Sequence, residues 1–100
     1  MNKELVTHLA TINQNFDFLK KRFGVKKIAI FGSTARGDQT PKSDIDIIVE
    51  LNKPMGFFEF ISLEDYLGKL LGKKVDLTTK KAIKPAIKKT ILSEAVSLFH

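Results

Sequence analysis

Apolar residues recur at helical spacing over the first quarter of the chain. Steps of four and three residues between Lys3 and Arg22 predict one amphipathic helix whose stripe covers a core. The stripe consists of Leu5, Leu9, Ile12, Phe16, Leu19 and Phe23. Gly24 is expected to end this helix. His8 lies off the stripe and His100 is the only other histidine, so a histidine-based metal site or a Ser/His/Asp triad is not expected.

Two apolar runs with the length of strands come next. The run Val25–Phe31 is apolar on both faces in its second half, which predicts a central strand. Along the run Asp44–Leu51, successive side chains of a strand would point alternately to its two faces. Its acidic residues share one face, and the opposite face carries Ile45, Ile47 and Val49. Between the runs we expect a turn over Gly32–Gly37, with one helical turn in it, and then a polar loop over Asp38–Lys42.

The second half of the chain returns to helical spacing from Phe57 to Leu71, with Gly72 as the cap. Residues 73–78 predict a short strand, and a last helix is expected from Ala82 or Pro85 to Phe99. Its predicted buried face comprises Ile83, Ile87, Ile91, Ala95 and Leu98. This order over 100 residues predicts one domain of the α/β (α+β) class, a small mixed sheet with helices packed on one face. The other face is left for a substrate.

The predicted turn and the strand after it carry groups suited to phosphate and to metal. Gly32 lets the backbone approach a phosphate closely, and the amides after it can point outward together with the Ser33 hydroxyl. Asp44 and Asp46 are two residues apart, so a strand presents both carboxylates to one side. Two like charges so close call for a cation. Asp46 is also flanked by isoleucines, where a strand has no structural need for an acid.

These residues resemble the signature of the polymerase-beta-type nucleotidyltransferases, which is Gly-Ser, a spacer and Asp-x-Asp on the next strand. The matching segments are Gly32-Ser33, Ala35-Arg36-Gly37 and Ser43-Asp44-Ile45-Asp46. In so short a chain, GSTARG followed by SDIDIIV is similar to the minimal nucleotidyltransferases (MNT), antitoxin-type partners of HEPN ribonuclease toxins. The combination carries the resemblance, because either motif alone is common.

The resemblance implies a polymerase-beta-type core and a specific activity. That activity is transfer of AMP from ATP, or of another nucleotide from its triphosphate, to a tyrosine hydroxyl of a HEPN toxin bound as a hetero-oligomer. The implied catalytic carboxylates, which would hold two Mg²⁺ ions, are Asp44, Asp46 and Asp76. The implied nucleotide-binding residues are Gly32 and Ser33 at the β- and γ-phosphates and Arg36 at the leaving group.

All of these positions except Asp46 also have a purely structural interpretation, which for Asp44 is a cap of the loop. Gly32 can serve the turn alone, and Ser33 can cap the short helical turn after it. Arg36 can pair with a neighbouring acid at the surface, and Asp76 can be an exposed residue of an edge strand. If Asp76 is not the third acid, Glu50 is the first alternative, because it shares the strand face of the aspartate pair.

At the level of the whole protein, the main alternative is a non-catalytic antitoxin that neutralises its partner by forming a complex. Two other classes of nucleotide-binding protein are excluded because their motifs are absent. The chain has no G-x-x-x-x-G-K-[ST] of a P-loop NTPase and no G-x-G-x-x-G of a dinucleotide-binding fold after the first strand.

The net charge of +6 favours anionic partners. Lys81, Lys84 and Lys88 recur at helical spacing and predict a solvated helix face. No aromatic residue is interleaved with these lysines, so direct binding of nucleic acid is not expected. No apolar run reaches the roughly 20 residues that span a bilayer. The start of the chain does not resemble a signal peptide and there are no cysteines, which predicts a cytoplasmic protein.

Three aromatic residues cluster at the start of the second predicted long helix. Phe57, Phe58 and Phe60 exceed what one helix face usually buries, so at least one is a candidate for a partner interface. The alternative places all three in the core.

Overall fold

The computed structural model describes residues 2–97. Its strands β1 (Val25–Phe31), β2 (Ile45–Leu51) and β3 (Val75–Thr79) form one sheet in the order β1-β2-β3. Strand β1 is antiparallel to β2, and β3 is parallel to it. The helices are α1 (Lys3–Gln14), α2 (Phe16–Phe23), α3 (Gly32–Arg36), α4 (Phe57–Leu71) and α5 (Pro85–Glu94), with a 3₁₀ turn at Lys80–Ala82. The predicted fold class, a small mixed sheet with helices, is confirmed.

The core lies between the sheet and the helices α1, α2 and α4. Strand β2 supplies Ile45, Ile47 and Val49, each at most 1% exposed, because alternate residues of a strand point to one face. The helices supply most of the predicted stripe together with Leu63, Leu67 and Leu71. His8 is also buried, so its predicted position off the stripe is wrong. It comes three residues after Leu5, and residues three apart share a helix face.

The prediction of one continuous helix from Lys3 to Arg22 is wrong, because the helix breaks at Asn15. The Asn15 backbone N–H donates to the carbonyl of Ile12 at 3.0 Å. The Asn15 side-chain Nδ2 donates to the carbonyl of Thr11 at 2.8 Å. The side chain thus takes the carbonyl that the backbone N–H of Asn15 would use in a continuous α-helix, so α1 ends and α2 starts at the next residue.

Strand β1 lies at an edge of the sheet, so the prediction of a central strand is wrong and β2 occupies the centre. Part of that edge is covered by the segment after α5. Ile30 and Val96 exchange two backbone hydrogen bonds of 2.9 and 2.8 Å. Coverage of this kind lets an edge strand be as apolar as a central one.

The last helix starts at Pro85, one of the two predicted starts, and its proline occupies the first turn as expected. It ends at Glu94, before the predicted end at Phe99, which lies outside the described residues together with Leu98. The chain is extended at Ala95, which allows the next residue to pair with β1.

The predicted buried face of this helix does not form, because α5 contains no buried residue. Ile87 is 51% exposed, whereas Ile83 is buried but precedes the helix. The predicted lysine stripe is wrong for a related reason. Lys81 lies in the 3₁₀ turn and Lys84 caps the start of α5, so neither shares a helix with Lys88.

The helix α4 has the predicted bounds, and Gly72 caps it with a positive φ of 70°. The three aromatic residues at the start of α4 differ in exposure. Phe57 and Phe58 are 72% and 83% exposed, while Phe60 packs against the core. The interpretation that buries all three is therefore wrong. Within residues 2–97, none of the helices combines the length and hydropathy needed to cross a membrane.

Candidate active site

The turn between β1 and β2 takes the predicted form, and Gly32 is required in it. Gly32 has φ 71°, which other residues adopt only with strain. A Cβ at this position would also overlap the carboxylate of Asp46. The turn closes where the backbone N–H groups of Gly37 and Asp38 donate to the carbonyl of Ser33. The Ser33 hydroxyl is half-buried and makes no hydrogen bond within residues 2–97, so it is available to a ligand.

Asp46 lies at the centre of the site. It pairs in register with Phe31 at the end of β1 and with Asp76 on β3. The residues on either side of Asp46 in β2 are fully buried in the core, so its own side chain points to the opposite face of the sheet. Asp76 is directly across from it on the same face, because residues in register on adjacent strands share a face.

The surroundings of Asp46 disfavour its charged form. Burial raises the pKa of Asp46, and the charges of Asp76 and then Asp44 raise it further. The guanidinium of Arg36 acts in the opposite direction with a smaller effect. The three acids that the resemblance implies are therefore close enough to interact electrostatically. This arrangement is typical of an acid that works with a cation.

The three carboxylates suit a hard cation in chemistry, although they do not yet surround one. Among residues 2–97, no three Asp, Glu, His or Cys side chains already stand at metal-binding spacing. Unneutralised carboxylates repel one another, and Asp76 is exposed. Carboxylate oxygens are the ligands that Mg²⁺ prefers. The donor set and the mutual repulsion both fit a divalent cation between Asp44, Asp46 and Asp76.

Asp44 lies just outside β2, which starts one residue later at Ile45, whereas the prediction placed Asp44 within the strand. A tight turn holds it in place instead of the strand ladder. The Thr40 amide donates to the Ser43 hydroxyl at 2.9 Å. The Ser43 amide donates back to the Thr40 carbonyl at 3.0 Å. This turn ends immediately before Asp44, so the loop decides where the carboxylate points.

Arg36 is engaged by two carboxylates. Its Nε donates to Asp38 at 3.1 Å and its NH1 donates to Glu94 at 3.1 Å. The hydrogen bond to Asp38 is the main reason why the pKa of Arg36 is raised. The pairing with Asp38 agrees with the structural interpretation of Arg36. Glu94 lies 58 residues away in the sequence, and no local pattern identifies it as a partner.

Glu50, the alternative third acid, shares the sheet face of Asp46 but lies four residues further along β2. Its carboxylate is 4.0 Å from the ammonium group of Lys80. Asp76 raises the pKa of Asp46, whereas Glu50 does not contribute. The geometry thus favours Asp76 over Glu50 as the third acid of this site.

A family model and several sequence relatives match this chain over most of its length. A family model described as "Nucleotidyltransferase domain" matches residues 12–98. A candidate protein adenylyltransferase of Methanocaldococcus jannaschii is 56% identical over 79 residues, 78% of this chain and 81% of that protein. The protein adenylyltransferase MntA of Thermococcus cleftensis is 46% identical over 78 residues, 78% of this chain and 79% of that protein.

Solved structures share the fold. A candidate minimal nucleotidyltransferase aligns with a TM-score of 0.74 at 28% identity, covering 93% of this chain and 90% of the other. The complex of a tri-AMPylated Shewanella oneidensis HEPN toxin with an MNT antitoxin aligns with a TM-score of 0.67 at 19% identity, covering 92% and 71%. At that lower identity the likeness concerns the fold alone.

Proposed function

Because the chain belongs to the nucleotidyltransferase domain family, we propose that it is a magnesium-dependent enzyme that transfers AMP from ATP to a hydroxyl group of a partner protein. The observation that carries the proposal is that Asp46 and Asp76 are in register on one face of the sheet beside the Gly32 turn, with Asp44 near enough to raise the pKa of Asp46. The names of two relatives that are 56% and 46% identical support a protein as the acceptor.

The residues of the turn would bind the triphosphate. Gly32 allows close approach of the backbone, and the Ser33 hydroxyl has no competing partner within residues 2–97. Arg36 would offset the charge of the leaving group once its bonds to Asp38 and Glu94 rearrange. Phosphate oxygens compete well for a guanidinium, because charge-assisted bonds to both types of anion are similar in strength.

Asp44 and Asp46 would hold magnesium together with the triphosphate, and Asp76 would complete the site on the acceptor side. Bound there, two magnesium ions would neutralise the charge that accumulates on the attacking and leaving oxygens. Asp76, on the neighbouring strand, would favour loss of the proton from the acceptor hydroxyl.

The proposed reaction balances without a further reactant. A bond forms between the acceptor oxygen and the α-phosphorus, and the bond from that phosphorus to the β-phosphate oxygen breaks. Pyrophosphate leaves, and the hydroxyl proton passes to a carboxylate or to water. The product is a phosphodiester that links AMP to the partner protein.

We further propose that the acceptor is a tyrosine of a HEPN toxin, which makes this chain an antitoxin that acts by modification. The sequence motifs resemble those of minimal nucleotidyltransferases, and a structural neighbour is an MNT antitoxin bound to a tri-AMPylated HEPN toxin. In this proposal residues 1–100 act as one minimal nucleotidyltransferase domain in the cytoplasm, where ATP and magnesium are available.

The test is label transfer with two forms of ATP. The purified chain, its HEPN partner and magnesium are incubated with ATP labelled at the α- or the γ-phosphate. We expect label on the HEPN protein from the α-position only, loss of transfer with a chelator, and loss of transfer on replacing the acceptor tyrosine with phenylalanine. Label from the γ-position would indicate a kinase and contradict the proposal.

The same mixture separates the catalytic antitoxin from the binding antitoxin. If the chain binds the HEPN protein and inhibits its ribonuclease without transferring label at any magnesium concentration, neutralisation by complex formation is the correct function. Under our proposal, inhibition persists after the modified HEPN protein is separated from this chain, because the modification is covalent.

A further inference from the structure

The side chain of Asn2 connects three parts of the chain that meet beside the site. Its Oδ1 accepts from the backbone N–H of Leu5 at 2.8 Å, which caps α1. The same oxygen accepts from Nε2 of Gln39 at 3.1 Å. Its Nδ2 donates to the carbonyl of Thr34 at 3.0 Å. One amide group therefore holds the start of α1, the turn α3 and the loop before β2.

The two segments that Asn2 joins to α1 both carry proposed nucleotide or metal ligands. Thr34 comes directly after Ser33 in α3 and is completely buried, so its carbonyl moves with the turn. Gln39 immediately precedes the tight turn that ends at Asp44. A shift of Asn2 would therefore change the distance between the Ser33 hydroxyl and the Asp44 carboxylate.

The other side of the same loop is held by Lys73, the residue that leads into β3. Its ammonium group donates to Glu4 at 3.2 Å and to the carbonyl of Thr40 at 3.5 Å. The Gln39 amide, and then Lys73, lower the pKa of Glu4 against the opposing effect of burial. The polar groups that face Asn2 thus form a connected network between α1, the loop and the start of β3.

We propose that Asn2 is a positioning residue, which acts through Thr34 and Gln39 to hold the phosphate-binding turn and the Asp44 loop at a fixed separation. The expected effect of Asn2 on AMP transfer rests on the proposed function. The structural coupling of α3 and the loop to α1 does not depend on any activity. A capping residue for α1 alone would need only the hydrogen bond to Leu5.

Two substitutions separate the capping role from the positioning role. Asn2→Ser keeps a good N-cap, because serine and asparagine are similarly favourable there, but it loses the reach to Thr34 and Gln39. Asn2→Asp keeps the cap and the acceptor for Gln39, and it replaces the donor to Thr34 with a negatively charged oxygen that repels the Thr34 carbonyl. Asn13→Ser is the matched control on the same helix, because Asn13 is exposed and its side chain has no hydrogen bond within residues 2–97.

The first measurement is amide hydrogen exchange. In Asn2→Ser we expect protection of the Gly37 and Asp38 amides, which bond to Ser33, to fall about fivefold, the effect of losing one hydrogen bond of roughly 1 kcal/mol. Protection within α1 should stay within about twofold. Loss of protection in α1 with Gly37 and Asp38 unchanged would show that Asn2 only caps the helix, and would overturn the inference.

The second measurement is steady-state label transfer. We expect Asn2→Ser and Asn2→Asp both to raise KM for ATP and to lower kcat, so that kcat/KM falls by about fivefold to tenfold. Asn13→Ser should leave KM and kcat unchanged. Transfer by both Asn2 variants at the wild-type kcat and KM would refute the catalytic consequence. If the wild-type chain transfers no label, the proposed function fails while the exchange experiment still decides the coupling.

Discussion

The two faces of β2 have opposite compositions and opposite consequences for folding. Ile45, Ile47 and Val49 are at most 1% exposed on one face, where burial of each side chain contributes about 1.5–3 kcal/mol. Asp46 lies half-buried on the other face beside Asp76, and its pKa is raised by burial and by two like charges. The strand therefore stabilises the protein through one face and carries a free-energy cost on the other. That division is expected where an acid serves chemistry instead of stability.

The largest effect should come from removing the acid at the centre of the site. Asp46→Asn should lower label transfer at least about 100-fold, because a metal ligand and its charge are lost. Its free energy of unfolding should rise, because a poorly solvated charge next to two others disappears. Label transfer and chemical denaturation test both parts. Asp65→Asn, on the surface of α4 and paired with Lys69, is the control that should retain activity within about twofold.

On the buried face of β2, a substitution should reduce stability and leave activity nearly unchanged. Ile47→Ala should lower the free energy of unfolding by about 2–4 kcal/mol, because Ile47 is completely buried and the core collapses only partly around a cavity. Transfer by the fraction that remains folded should change little. Ile61→Ala, at a position 44% exposed, should cost less than about 1 kcal/mol. Equal losses for the two variants would contradict the assignment of the core.

The roles of the acids on the two neighbouring strands should also differ. Asp76→Asn should leave binding of magnesium and ATP within about threefold of the unaltered protein, because Asp44 and Asp46 remain, yet it should reduce transfer at least about 50-fold. Calorimetry and label transfer make the distinction. Transfer at the unaltered rate would exclude Asp76 as the third acid, and Glu50→Gln would be examined next.

The raised pKa of Asp46 gives the stability a defined pH dependence. The folded protein holds the Asp46 proton to a higher pH than the unfolded chain does. Stability from this group is therefore lost as pH rises from the unfolded to the folded pKa, and it stays lost above both. The stability difference between Asp46→Asn and the unaltered protein should widen over that window and then level off. Magnesium should reduce this stability difference at neutral pH, because it binds the unaltered protein more tightly than the variant and therefore stabilises it more.

The predictions from sequence succeed where the pattern is local. The strand–turn–strand segment from Val25 to Leu51 has the expected bounds to within one residue, because alternation and a positive-φ glycine depend on near neighbours only. The helix α4 and its cap are correct for the same reason. The alternation of β2 also predicts correctly that Asp46 points away from the buried face of Ile45, Ile47 and Val49.

One failure is local, because the break at Asn15 depends on a side-chain hydrogen bond to Thr11, four residues earlier, that helical periodicity does not reveal. The other predictions fail where partners distant in the sequence decide. The edge position of β1 depends on the segment at Val96, and the environment of Arg36 depends on Glu94. The links from Asn2 to the site cross more than 30 residues. In each case composition allows the contact, but only the tertiary structure forms it.

The smallest effect on folding is expected at the exposed aromatic pair Phe57 and Phe58, at the start of α4. Phe58 is 83% exposed and its ring contacts Phe57 at a centroid distance of 5.7 Å, so little of its apolar surface is removed from water on folding. Phe58→Glu should therefore change the free energy of unfolding by no more than about 0.5 kcal/mol.

The exposure of Phe57 and Phe58 keeps open the prediction that this aromatic pair contacts a partner. We expect Phe58→Glu to weaken binding to the HEPN protein at least about tenfold, measured by calorimetry, while Ile87→Glu on α5, at a position 51% exposed, leaves it unchanged. A folded Phe58→Glu variant with unaltered affinity would remove Phe58 from the interface and leave the partner surface to be sought elsewhere on the molecule.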